Sequence, residues 1–144
     1  MTVAAILRHK GHDVAFVHPT MTIADLVQQL SAKRIGAVVV QDRADQLLGI
    51  VSERDVVHAL AANGPKALDM TAGQLMTRAL KTAAPNTTVS EAMEMMTAGR
   101  FRHLPVVEHG ILIGIVSIGD VVKARIMQQE SEVDSLKAYV AGAA

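Results

Sequence analysis

The letters best suited to chemistry are a serine and an aspartate three residues apart, present twice: Ser52-x-x-Asp55 and Ser117-x-x-Asp120. A carboxylate has two acceptor oxygens, which match the paired hydroxyls of a vicinal diol, and its charge strengthens each bond to about 1.5–3 kcal/mol. If the serine opens a helix, the free amides of that helix end suit an anion. The same letters are also an ordinary helix start, with the serine as N-cap and the aspartate in the first turn. The two readings are compatible, because a capping aspartate can keep an oxygen for another partner. Arg54 lies inside the first motif, and Arg102 and His103 lie upstream of the second. The planar fork of arginine suits phosphate, and a neutral histidine can hydrogen-bond one. The alternative for Arg54 and Arg102 is a solvated or ion-paired surface role.

Other chemistries have no letters to carry them. The 144 residues contain no cysteine, which excludes disulfides, thiolate metal sites and a cysteine nucleophile. The six histidines include no pair at helical spacing with a carboxylate between them, so no metal site is expected. There is no nucleophile–base motif, P-loop or GxGxxG, and the chain is expected to have no catalytic residues and not to be an enzyme. Met93, Met95 and Met96 sit at helical spacing and read as core filler.

Composition narrows the partners. Lys plus Arg and Asp plus Glu both number 14, so the net charge of zero argues against nucleic-acid binding. Only Phe16, Phe101 and Tyr139 are aromatic, which leaves almost no base-stacking platform. The apolar N-terminal stretch is too short for a membrane span and lacks the parts of a signal peptide, and no later segment approaches 18 uncharged apolar residues. No membrane partner and a cytoplasmic location are expected.

The elements that must position these residues come from a repeat. GIVSERDVVHA from Gly49 and GIVSIGDVVKA from Gly114 share eight of eleven letters. Upstream, Pro19, Thr22, Ala32, Arg34 and Val40 correspond to Pro85, Thr88, Ala98, Arg100 and Val106. TVAAIL at Thr2 and TAGQLM at Thr71 are expected lead helices. Each copy then predicts a short strand (Val14 to Val17; Leu80 to Thr82) and a helix capped by Thr22 or by a Thr88–Glu91 capping box. Two apolar strands follow (Ala37 to Val40 and Leu47 to Val51; Leu104 to Val107 and Ile111 to Val116), and a second helix after Ser52 or Ser117 closes the copy. The expected fold class is α/β (α+β): two pseudo-twofold-related β-α-β-β-α repeats sharing one core, plus a long C-terminal helix. The expected boundaries are 1–62 for the first repeat with its lead helix, 63–70 for a linker, 71–125 for the second repeat with its lead helix, and 126–144 for a helical extension.

The doubled pattern resembles the cystathionine-β-synthase (CBS) domain, and the tandem resembles a Bateman module. The letters that carry this are P-x-x-T-[IV] at Pro19 and Pro85, RHLPVVE at Arg102 to Glu108, and GIVSxxD ending at Asp55 and Asp120; they span about residues 2 to 125. The resemblance implies a regulatory sensor of an adenosyl ligand: AMP, ADP, ATP or NAD(H), with S-adenosylmethionine as an alternative. Carried over by position, Asp120 and Asp55 would accept from the ribose. Ser117, Ser52, Arg54, Arg102 and His103 would meet ribose or phosphate. Thr82, Ala83 and Pro85, and the matching Val17, His18 and Thr20, would line adenine slots. The copies differ: Pro105 follows the family pattern where the first copy has Val39, so the Asp120 site is favoured first, with Asp55 beside Arg54 as the alternative. The competing reading is an interaction scaffold that binds no nucleotide.

Past the repeat, Val122, Ile126, Gln129, Val133, Leu136 and Val140 are spaced four and three residues in alternation. That is a heptad stripe, which could pair in a dimer or return onto its own module; a homodimer contact is the favoured expectation. No effector domain is recognisable in these residues, so output is expected to pass to an unidentified effector protein.

Overall fold

The computed structural model describes residues 1–143; Ala144, the last residue of the expected extension, lies outside them. The chain runs α1 (Val3–Lys10), β1 (Phe16–Val17), α2 (Ile23–Lys33), β2 (Ala37–Gln41), β3 (Leu47–Ser52) and α3 (Glu53–Asn63). A 3₁₀ helix (Gly64–Asp69) follows, then α4 (Ala72–Leu75), α5 (Val89–Gly99), β4 (His103–Glu108), β5 (Ile111–Ser117) and α6 (Ile118–Ala143). The linker 63–70 is therefore mostly helical, opened by Pro65 near the helix start, where its missing N–H costs nothing. It is a mixed α/β chain of tandem repeats with a C-terminal helix.

Two compact units divide the described chain: residues 13–80, the Asp55 unit, and residues 1–12 with 81–143, the Asp120 unit. In the Asp55 unit, β1 pairs parallel with β2, and β2 antiparallel with β3, so that Ala37 stands opposite Ser52. The α2 helix starts where the Thr22 hydroxyl accepts from the Asp25 N–H. Val17, Ile23, Leu26, Val38, Val40 and Val51 form the centre of this unit's core.

In the Asp120 unit, β4 pairs antiparallel with β5 and His103 stands opposite Ser117. The Thr88 hydroxyl caps α5 by accepting from the Glu91 N–H at 3.1 Å, and it donates to the Glu91 carboxylate at 3.0 Å. The strand expected at Leu80 to Thr82 does not form; the next residue, Ala83, makes one bridge beside Val106. Ala83 N–H donates to Pro105 and its carbonyl accepts from Val107, both at 2.8 Å. Pairing stops there because Pro85 has no N–H and the preceding Lys81 and Thr82 are exposed.

The lead segments do not follow the order of the repeats. Helix α1 packs Val3, Ile6 and Leu7 among Val89, Ala92, Leu104 and Val106 of the Asp120 unit, while Ala72 and Met76 join the core of the Asp55 unit. The exchange is reciprocal. Val3 N–H donates to Thr87 and Val89 N–H to Met1; Ile23 N–H donates to Met70 and Ala72 N–H to Met21. Equivalent glycines make room for it. A Cβ at Gly114 would lie 2.7 Å from a Leu7 methyl, and one at Gly49 would lie 2.7 Å from the Thr77 carbonyl oxygen.

Candidate functional site

Each serine–aspartate pair closes a strand and opens a helix within its own unit. In the Asp120 unit, Ser117 N–H donates to Asp120 Oδ2 at 2.8 Å and Asp120 N–H donates to Ser117 Oγ at 3.2 Å. In the Asp55 unit, Ser52 N–H and Oγ donate to Asp55 Oδ2 at 2.8 and 3.0 Å, and Asp55 N–H donates back to Ser52 Oγ at 3.4 Å. Both aspartates thus act as reciprocal caps, which satisfies the exposed amides of a helix start.

What differs is the next partner. Lys10 Nζ, from the last turn of α1, lies 2.6 Å from Asp120 Oδ2 and also donates to the Ile115 carbonyl at 2.9 Å. Leu7, one turn earlier and buried over Gly114, fixes the helix that carries it. At Asp55 the partner is neutral: Thr77 Oγ1 donates to Oδ1 at 3.4 Å. Neither Lys10 nor Thr77 carries a motif, and Lys10 lies 110 residues before its aspartate.

Partial burial pushes the Asp120 carboxyl up, but the hydrogen bonds from Lys10 and Ser117, with the ammonium charge, outweigh it and hold the group below its ordinary 3.8. A carboxylate so held is ionised at neutral pH. One ammonium has three N–H groups, and two of those on Lys10 are committed.

The other expected site residues are placed as follows. His103 is half-buried at the start of β4, the register partner of Ser117, where the other copy has Ala37. Arg102 is exposed, and its carbonyl accepts from Ile118 N–H at 2.8 Å at the start of α6. Arg54 is exposed on the first turn of α3. Arg54 and Arg102 belong to different units. Thr82 is exposed, Ala83 is buried with both backbone groups committed to β4, and the Pro85 carbonyl accepts from Ala4 at 2.9 Å. In the Asp55 unit, Val17 is buried in β1, and His18 Nδ1 lies 2.9 Å from Thr20 Oγ1. Thr20 N–H also approaches that nitrogen, at 3.4 Å. No described helix is long and apolar enough to cross a membrane.

Comparison with known proteins agrees with this architecture. The CBS domain model matches twice, over residues 3–62 and 72–126. A mitochondrial CBS domain-containing protein of Arabidopsis thaliana is 35% identical over 98% of this chain and 72% of its own length. A CBS-domain containing protein of Agrobacterium tumefaciens, solved as a crystal structure, is 46% identical with a TM-score of 0.85, covering 87% of this chain and 99% of that one. A CBS domain pair crystallised with 5′-methylthioadenosine and S-adenosyl-L-methionine is 24% identical with a TM-score of 0.76, covering 90% and 98%; that likeness is one of fold. With two copies of the strand–serine–aspartate–helix unit in place and both copies matched by the same domain model, the chain belongs to the CBS domain family as a tandem pair.

Proposed function

We propose that this protein is a non-catalytic regulatory module that binds an adenine nucleotide (AMP, ADP, ATP or NAD(H)) at Asp120. It works as a homodimer and passes the signal to an effector protein through ligand-dependent conformation. The observation that carries this reading is the Lys10–Asp120 pair at the start of α6. Asp120 is charged, and Ser117 N–H and Lys10 both meet its Oδ2; a carboxylate has acceptor sites beyond these two bonds, so it is suited to accept from ribose hydroxyls. The third N–H of Lys10 and the amide end of α6 favour an anion. Phosphate-bearing ligands therefore bind better than S-adenosylmethionine, whose sulfonium is positive. Within CBS domains that bind adenosyl ligands, this makes the Asp120 unit the nucleotide-selective one and the Asp55 unit, with neutral Thr77, the weaker.

Calorimetric titration of the purified chain with AMP, ATP, NADH, adenosine and S-adenosylmethionine tests this. We expect heat with the nucleotides, lost in Asp120→Ala while the fold persists. Lys10→Gln is expected to weaken AMP about tenfold, the loss of one charged hydrogen bond, and adenosine much less. No heat for any of the five would leave Asp120 as a helix cap alone and the scaffold reading in place. Equal weakening of AMP and adenosine would remove Lys10 from phosphate selection.

A further inference from the structure

Among the described residues, α6 beyond the repeat has no partner. Its first turns are anchored, with Val121 and Ala124 in the core of the Asp120 unit, but from Gln129 to Gly142 every side chain is exposed. Among them Leu136 is 63% exposed and Val140 60%. A helix of this length draws its stability in water chiefly from a packed apolar face. The face present is a heptad seam. Ile126, Val133 and Val140 fall at a positions, and Val122, Gln129 and Leu136 at d. β-Branched residues at a with leucine at d favour two parallel strands; all three a positions are β-branched, and Leu136 is the leucine among the d positions.

The flanking charges select the same arrangement. The g positions are Arg125, Glu132 and Tyr139; the e positions are Lys123, Glu130 and Lys137. In a parallel, in-register pair, Arg125 faces Glu130 of the second copy and Glu132 faces Lys137 of the second copy. Both contacts are attractive, and each occurs twice by symmetry. A fully overlapped antiparallel pair would instead set Glu130 against Glu130, Glu132 against Glu132 and Lys123 against Lys137. We infer that residues 122–140 of α6 form a parallel, in-register two-stranded coiled coil with a second copy of this chain. The inference takes up the homodimer of the preceding reading and none of its ligand chemistry, so the titration above and the experiment below fail independently.

Light scattering on the eluted full chain is the test. The wild type is expected to have twice the mass of Leu136→Glu, whose exposed position leaves the module folded by circular dichroism. Equal masses would overturn the inference. Because the chain has no cysteine, Val140→Cys reports orientation. Mild oxidation is expected to crosslink it as a dimer, since like positions face each other only in the parallel register. Failure to crosslink overturns the parallel arrangement. Glu132→Lys is expected to halve the mass by opposing Lys137, and adding Lys137→Glu to restore it. A double variant that stays dissociated counts against the register.

Discussion

Asp55 and Asp120 occupy the same position in the repeat and cap their helices in the same way, and Asp120 also carries the Lys10 ammonium while Asp55 accepts from the Thr77 hydroxyl. The difference is chemical rather than geometric: an ammonium on one carboxylate, a hydroxyl on the other. For Asp120 the folded group titrates below its ordinary 3.8. Its stabilisation is therefore whole above that value and disappears as pH falls through the lower folded one. Lys10→Gln is expected to be less stable than the wild type near neutral pH by up to about 1 kcal/mol, the scale of a partly exposed ion pair. The gap should close as the solution is acidified below about pH 4. Urea midpoints of the two proteins across this range read it directly; a gap that stays constant into strong acid would dissociate Lys10 from the titration of Asp120. The serines and aspartates were legible in the sequence because capping is decided within four residues. Lys10 was not, because its spacing from Asp120 means nothing until α1 is placed.

At the scale of elements, the two copies repeat their irregularities as well as their helices and strands. The β2–β3 register shifts between Val40 and Gln41, and the β4–β5 register shifts between Val106 and Val107. Helices α2 and α5 both end on an arginine in the left-handed region, Arg34 and Arg100. Gly49 and Gly114 belong to the same set, but what they admit differs. At Gly114 an added methyl meets the Leu7 side chain, which can shift; at Gly49 it meets a backbone carbonyl as well as Met76. Gly114→Ala is expected to cost about 1–2 kcal/mol, within the range for overpacked cores, and Gly49→Ala more. Chemical denaturation gives both values. The reverse order would show that the lead segments do not approach these strands as described.

For the whole molecule, the exchange of lead segments decides which pieces can fold. Residues 13–80 hold every element of the Asp55 unit in one continuous stretch, whereas residues 1–62 lack Ala72 and Met76 and carry an α1 that belongs elsewhere. A 13–80 fragment is expected to unfold cooperatively in urea, although weakly, as befits its size. A 1–62 fragment is expected to show no such transition, even though it is the better match to one repeat. Equal cooperativity in the two would sink the exchange. Leu7→Ala in the full chain, at a residue only 1% exposed, should cost about 3 kcal/mol for the same reason.

The sequence by itself determined the duplication, the apolar strands, the threonine and serine caps, the paired aspartates and the long terminal helix. Each of these depends on neighbours a few residues away or on one copy matching the other, and both are written in the order of the letters. The tertiary structure alone decided that α1 serves the second copy and α4 the first, that Ala83 makes a bridge instead of a strand, and that Lys10 and Thr77 complete the two carboxylate sites. Those outcomes depend on packing between segments far apart in the chain, where similarity between repeats cannot say which copy an element will serve.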